Sequence, residues 1–242
     1  MNLGRVILFP SLLAPVAPST VLPAANLALI REVKFFVVEE LRTARRFLKA
    51  CDKAIDIDSL HFEVLNEHTA PEEIADMLSP ALQGNDIGII SEAGCPAIAD
   101  PGADLVAAAQ RKGLEVIPLV GPSSILLALM ASGFNGQDFS FIGYLPIDAA
   151  RRSETINRII AGVRRHHTTI FIETPYRNNR LLSELATALP ADMLICVAAD
   201  ITAQTQSIRT LPAGQWRTKK YNYDKRPAIF LVGTSYISEK KR

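Results

Sequence analysis

The chain has 242 residues, 48% hydrophobic and 21% charged, with 13 Gly and 15 Pro; disorder requires low hydrophobicity with high net charge, so disordered, collagen-like and coiled-coil classes are excluded. Lys and Arg total 26 against 25 Asp and Glu, so overall charge draws no polyanion to the protein and any nucleic-acid footprint has to be a local patch. At roughly 150 residues per domain, the length predicts two small domains.

Cys51, Cys95 and Cys196 are too few and too scattered for a disulfide framework or a zinc knuckle. A reducing, cytoplasmic setting is expected. Pro10 interrupts the first apolar run before it reaches the length of a signal-peptide core, and no run of about 18 apolar residues predicts a membrane helix.

Arg5 to Phe9 reads as a buried strand, followed by a proline-rich stretch (Pro10, Pro15, Pro18, Pro23) expected to lack regular structure. Val33 to Val38 is a second strand. Thr69 and Glu72 have the spacing of a capping box, opening a helix with Ile74, Met77, Leu78 and Ala81 on one face, kinked at Pro80 and closed by Gly84. Strand Ile87 to Ile90, helix Ala103 to Lys112, strand Leu114 to Leu119 and helix Ser123 to Ser132 follow, with Gly113 and Gly133 as stops. Apolar strands alternating with helices predict a parallel sheet covered on both faces.

The series restarts after Pro146. Ile156, Ile159, Ile160 and Val163 form a helical stripe before strand Thr169 to Ile172, and Leu181, Leu182, Leu185 and Leu189 form another before strand Leu194 to Ala198. A basic, polar stretch without helical pattern then leads to Ala228 to Val232, which is expected to close a mixed sheet as an antiparallel strand. Two α/β domains, 1–120 and 121–242, account for this order.

Two strand-to-helix loops concentrate the chemistry. Ser91 to Gly102 holds two Gly and two Pro at the carboxyl end of a strand, where open α/β sheets bind ligands. Gly121-Pro122-Ser123-Ser124 ends the next strand and presents hydroxyls and helix amides to an anionic group. The same spacings also fit tight turns with an N-cap serine. Cys95 has no histidine in a recognisable partner motif and reads as a small pocket-lining residue. His166 and His167 are no metal pair, since neighbours on a strand point to opposite sides, and a surface turn is expected there. Arg42-Arg45-Arg46, Arg151-Arg152, Arg164-Arg165 and Lys219-Lys220 are candidate phosphate contacts or solvated faces, with Trp216, Tyr221 and Tyr223 placed near the last for base stacking.

The segment Ser91-Glu-Ala-Gly-Cys-Pro-Ala-Ile-Ala-Asp-Pro-Gly102, with Pro118-Leu-Val-Gly-Pro-Ser-Ser124, Phe141-Ile-Gly-Tyr-Leu-Pro146, Glu39-Glu-Leu-Arg42, Phe171-Ile-Glu-Thr-Pro-Tyr-Arg177 and Val197-Ala-Ala-Asp200, resembles the tetrapyrrole methylase superfamily. Within it, the chain is most similar to the ribosomal RNA small subunit methyltransferase I family, which methylates a cytidine ribose 2′-hydroxyl. The resemblance implies two α/β domains with S-adenosylmethionine in the cleft between them, a homodimer, and ribosomal RNA or the small ribosomal subunit as partner. It implies cofactor contacts at Pro10, Ala93, Gly94, Cys95, Ile98, Ser123, Ser124, Thr174, Ala199, Pro227 and Ala228, and no metal. A hydroxyl acceptor calls for a base or an oxyanion-stabilising group, with Glu40 and Arg42, beside Glu39, as catalytic candidates; a solvated helix start is the other reading of that segment. A small-molecule acceptor, or a non-catalytic paralogue, is the alternative function. The chain departs from the family after its first strand, where Pro-Thr-Pro-Ile-Gly-Asn-Leu is replaced by the glycine-free Phe9-Pro-Ser-Leu-Leu-Ala-Pro15. Such a loop does not readily take positive φ.

Overall fold

The computed structural model describes residues 3–235, which divide into two compact units, Met1–Ser123 and Ser124–Arg242. In the first, strands β1 (Arg5–Phe9), β2 (Phe35–Val38), β3 (His61–Val64), β4 (Ile87–Ile90) and β5 (Glu115–Pro118) form one sheet in the order β3-β2-β4-β1-β5. Every pairing is parallel. The central strands are apolar because both faces are covered. Helices α1 (Ala24–Leu29) and α2 (Leu41–Cys51) belong to one face, where Ala44, Phe47 and Leu48 pack with Phe9, Phe36 and Ile90. On the other, α3 (Pro71–Asp76), α4 (Ser79–Leu82) and α5 (Gly102–Arg111) bring Ile74, Ala81 and Leu105 against Val6, Val37 and Ile89.

The strand order explains this division. The chain winds from β1 through β2 to β3 in one direction and then returns through β4 to β5. Right-handed crossovers in opposite directions place their helices on opposite faces. The reversal falls at the neighbours β1 and β4, so the loops leaving their carboxyl ends flank a topological switch point.

The second unit comprises α6 (Ser124–Ser132), β6 (Phe139–Tyr144), α7 (Ala149–Val163), β7 (Thr168–Ile172), α8 (Asn178–Ala188), β8 (Leu194–Ala199), β9 (Ser207–Pro212), α9 (Ala213–Thr218) and β10 (Ala228–Gly233). Its sheet runs β6-β7-β10-β8-β9. As expected from the sequence, β10 is antiparallel, to both β7 and β8. It fills the sheet centre because Ile229 to Val232 is apolar on both faces and buried.

Several sequence expectations are corrected. Thr69 does not cap a helix: its hydroxyl accepts from the Asn66 amide at 3.0 Å, and α3 begins after Ala70 with Pro71 in its first turn. Pro80 opens a separate short helix instead of kinking one, since its missing N–H is harmless only in a first turn. The proline-rich stretch holds a 3-10 turn at Pro18–Thr20, again started by a proline. The polar stretch before β10 contains β9 and α9. There Trp216 is buried with its Nε1–H donating to the Ile195 carbonyl at 3.0 Å. Among the described residues, no helix is long and apolar enough to cross a membrane.

Candidate functional site

In the first unit, β1, β4 and β5 deliver three loops to one sheet edge, and short contacts tie them together. The Ser11 amide donates to the Gly94 carbonyl at 2.8 Å. The Cys95 Sγ lies 3.6 Å from the Pro122 carbonyl oxygen. Burial pushes the Cys95 thiol above its ordinary pKa, which favours the neutral form. A Cβ on Gly94 would sit 3.1 Å from Leu13 and 3.3 Å from the Pro122 carbonyl, at φ +75°. Glycine is the residue that tolerates both. A Cβ on Gly121 would come within 2.2 Å of the Pro10 ring, so the first and third loops also meet backbone to side chain. Of the candidate cofactor residues, Pro10, Ala93, Gly94, Cys95, Ile98 and Ser123 belong to this unit.

The glycine-free first loop works without positive φ: none is recorded between Pro10 and Pro23. The left-handed residues are in the second loop, where Ala97 and Ala99 have φ of 64° and 60°. An L-residue there costs about 1–2 kcal/mol, strain of the kind that concentrates at functional loops. The hydroxyls of Ser11 and Ser91 are buried at the ends of β1 and β4 and have no hydrogen-bond partner among the described residues. Unpaired buried hydroxyls are costly, and these two follow the carboxyl ends of adjacent parallel strands.

Beside them, β2 ends in two acidic residues with opposite environments. The Glu40 carboxylate is the N-cap of α2, accepting from the Thr43 amide at 2.6 Å and the Thr43 hydroxyl at 2.9 Å. The backbone N–H groups of Arg42 and Thr43 hold Glu40 below the usual carboxylate range, so the structure gives it a capping role. Arg42 is exposed in the first turn of the same helix. Glu39 instead accepts from the Glu92 amide at 3.0 Å, joining the β2 and β4 loops. Burial, then the carboxylates of Asp100 and Glu92, raise its pKa, against the Glu92 N–H. Asp100 accepts from the Gly102 amide at 2.7 Å through Oδ1, and its buried Oδ2 has no hydrogen-bond partner among the described residues. Burial raises its pKa too. Glu39, Ser91 and Asp100 line one small recess. The sequence puts Glu40 forward with Arg42 as the catalytic pair; in the structure Glu40 caps α2 whereas Glu39 joins two loops.

The second unit gathers its own candidates at one edge of its sheet. Ala199 pairs with Ala228 across β8 and β10, and Ile172 pairs with Ile229 across β7 and β10. Because β10 is antiparallel, its start lies beside the ends of β7 and β8. This brings Thr174, Ala199, Pro227 and Ala228 to the same edge. The Asp200 amide donates to the Pro227 carbonyl at 2.9 Å, and Arg226 Nε to Asp200 Oδ2 at 2.7 Å. Glu173 fixes Thr174 by accepting from its amide at 2.7 Å and from Arg177 Nη2 at 2.8 Å. Ser124 opens α6.

The basic and aromatic clusters separate on burial. Trp216 and Tyr223 are buried in the second unit's core, which corrects their assignment to base stacking. Arg152 is held by Glu184 at 2.7 Å and leaves the Arg151-Arg152 patch. Arg45 lies over the Phe62 ring, 5.6 Å from its centroid. His166 sits in a left-handed turn at φ 63°, and His167 enters β7 between two hydrogen bonds.

This architecture, two α/β units with glycine- and proline-rich loops at the carboxyl ends of parallel strands, defines a methylase fold. It superposes on the methyltransferase CobJ with TM-score 0.63 at 20% identity, covering 96% of this chain and 94% of that one. A conserved hypothetical protein from Aeropyrum pernix K1 gives 0.67 at 16%, covering 96% and 85%. The model of the tetrapyrrole (corrin/porphyrin) methylases matches residues 21–216, and the chain belongs to this family. It is a methyltransferase of the S-adenosylmethionine-dependent kind. Among relatives, the ribosomal RNA small subunit methyltransferase I of Pseudomonas aeruginosa is 30% identical, covering 85% of this chain and 71% of the relative. That of Leptospira borgpetersenii is 33% identical, covering 74% and 68%.

Proposed function

We propose that the protein transfers a methyl group from S-adenosylmethionine to a ribose 2′-hydroxyl of small-subunit ribosomal RNA in the cytoplasm. The observation that carries the reading is its likeness to the ribosomal RNA small subunit methyltransferase I proteins over most of its length. The loop cluster fits the donor chemically. Ser11 and Ser91 offer hydrogen bonds to polar groups, Ala93 and Gly94 leave room beside the backbone, and the Glu39 and Asp100 carboxyls suit a cationic sulfonium. In the second unit, Thr174, Ala199, Pro227 and Ala228 are the proposed cofactor residues, with Ser124 at the start of α6.

When bound, S-adenosylmethionine supplies an electrophilic methyl group, so the protein's work is to orient the acceptor and exclude water. A ribose hydroxyl must lose its proton as it attacks. Glu39, whose pKa burial raises above the ordinary carboxylate value, is the proposed acceptor of that proton, while Glu40 keeps the helix start in place. Arg42, exposed beside them, is the proposed contact to the acceptor. The test is incubation with methyl-labelled donor and small ribosomal subunits from a strain lacking the protein. Label is expected in alkali-resistant dinucleotides of the RNA, and label absent from ribose would overturn the reading.

We further propose a homodimer, the commonest closed assembly. Residues 125–131 of α6 are all apolar, and Met130 is 78% exposed. Light scattering at micromolar concentration is expected to give twice the chain mass, and Met130→Glu to weaken association at least tenfold. A monomer mass for the unaltered protein would contradict this.

A further inference from the structure

A second polar site lies within the second unit, in the groove between the edge strand β6 and helix α7. Ser140, Ile142 and Tyr144 of β6 line it with residues of α7, the strand's register against β7 shifting between Phe141 and Tyr144, where Gly143 has φ 66°. The groove encloses about 490 Å³, within the range of small-molecule sites. His167 lies along it between two hydrogen bonds, 2.7 Å from Asp138 Oδ1 at Nδ1 and 2.8 Å from Ser140 Oγ at Nε2. The carboxylate can only accept, so the Nδ1 proton belongs to that bond and the ring is locked, with Nε2 facing the serine hydroxyl.

Arg158 and Arg165 line the same groove. Arg158 Nη2 donates to the Thr155 hydroxyl at 3.0 Å. Among the described residues, neither arginine is paired with a carboxylate. Asp138, the groove's acidic residue, is turned to His167 at 2.7 Å. The Ser140 and Thr155 hydroxyls are bonded to His167 and to the Arg151 carbonyl, so the groove presents two guanidinium groups with the hydroxyl residues Tyr144 and Thr169, around a charge that remains net positive. Planar guanidinium groups with hydroxyls beside them suit the oxygens of a phosphate. Because β6 runs parallel to β7, Tyr144 at the end of the groove lies opposite Ile172, two residues before Thr174. The groove thus leads along β6 to the edge that holds the second unit's candidate cofactor residues.

We propose that this groove binds the phosphodiester backbone of single-stranded RNA, with Arg158 and Arg165 as the charged contacts and the Asp138–His167–Ser140 chain holding the hydroxyl side rigid. The inference rests on the reading of the acceptor as RNA. It adds a substrate-holding site that net charge conceals, since the whole chain carries only +1.

The test measures binding directly, without methyl transfer. The full-length protein is titrated into a fluorescent oligouridine 12-mer between 25 and 200 mM salt. For single strands the logarithm of the binding constant falls by about 0.7 per neutralised phosphate for each log unit of salt. Arg158→Gln with Arg165→Gln is expected to make that slope shallower by about 1.4. His167→Gln is expected to weaken binding several-fold with the slope retained. Arg111→Gln with Lys112→Gln, at the end of α5, controls for total charge. An unchanged slope in the groove variant, an equal change in the control, or no binding by the unaltered protein would overturn the proposal. Failure of the ribose reading alone would show separately, as absence of label with the salt slopes as expected.

Discussion

Ala93→Trp is expected to weaken S-adenosylmethionine binding by about 5- to 150-fold, the equivalent of roughly 1–3 kcal/mol of overfilling, with the thermal midpoint of the free protein unchanged. Ala93 is exposed next to Gly94, in the loop whose backbone accepts from Ser11 and whose Cys95 reaches Pro122. Because the residue is exposed, a larger side chain there is expected to leave the fold unchanged. Its penalty arises only if a ligand occupies the space beside the loop. Calorimetry on the unaltered and altered proteins separates the outcomes: equal affinities would remove the loop from the donor site, and a fallen midpoint would mark Ala93 as structural.

The same site has a pH signature whose sign follows from its carboxyls. Glu39 and Asp100 both titrate above their ordinary values, chiefly through burial. In the free protein the folded state therefore holds more protons than the unfolded chain just above the ordinary carboxylate range. Their contribution to stability falls as pH climbs from that range to the raised values. A sulfonium cation favours the ionised carboxylates. Donor affinity is accordingly expected to rise with pH through this window, and that of the demethylated, uncharged thioether product to change less.

Much of the fold is legible in the sequence because its central strands are apolar runs bounded by breakers. β1, β4, β8 and β10 are each legible as apolar runs, and the antiparallel β10 agrees with the expectation drawn from the lack of a helical pattern before it, although β9 and α9 occupy that segment. The edges are harder. β3, with His61 and Glu63 exposed, and β9, with Arg209 exposed, carry polar residues because one side of each has no neighbouring strand. Such strands lack the apolar run by which a buried strand is recognised. Helix α2 is hidden by its charge: Arg42, Arg45 and Arg46 draw attention as a patch, although Ala44, Phe47 and Leu48 carry its buried stripe. The loops at residues 91–102 and 121–124 are visible from their Gly and Pro content. The Asp138–His167–Ser140 chain is not, because His167 is 29 residues from Asp138 and 27 from Ser140 and meets them only when β6 and β7 pair in parallel. Nor does any local signal separate Glu39 from Glu40, since the difference lies in which of them turns into the helix start.

That difference has the largest expected consequence for turnover. Glu39→Gln keeps the side chain's size, and its amide oxygen can still accept from the Glu92 N–H, but it cannot take up the proton released by an attacking hydroxyl. General-base contributions are typically 10²- to 10⁴-fold, so methyl transfer is expected to fall at least a hundredfold, about 2.7 kcal/mol of barrier, with donor affinity reduced only several-fold by loss of the carboxylate's charge. The rate left in Glu39→Gln is also expected to lose the rise with pH that the unaltered protein shows as Glu39 ionises. Glu40→Gln is expected to do the reverse. It weakens the cap on Thr43 and lowers the thermal midpoint slightly, while turnover stays within a few-fold because the Glu40 carboxylate is already committed to the helix start. Arg42→Lys, which keeps the charge and loses the planar fork, is expected to lower transfer about tenfold through the acceptor's KM. Single-turnover rates across pH, with donor affinity measured on the same proteins, decide among these roles. A hundredfold loss in Glu40→Gln with Glu39→Gln unaffected would transfer the proton-accepting role to the capping residue, and equal losses in donor binding and turnover for Glu39→Gln would make it a binding group alone.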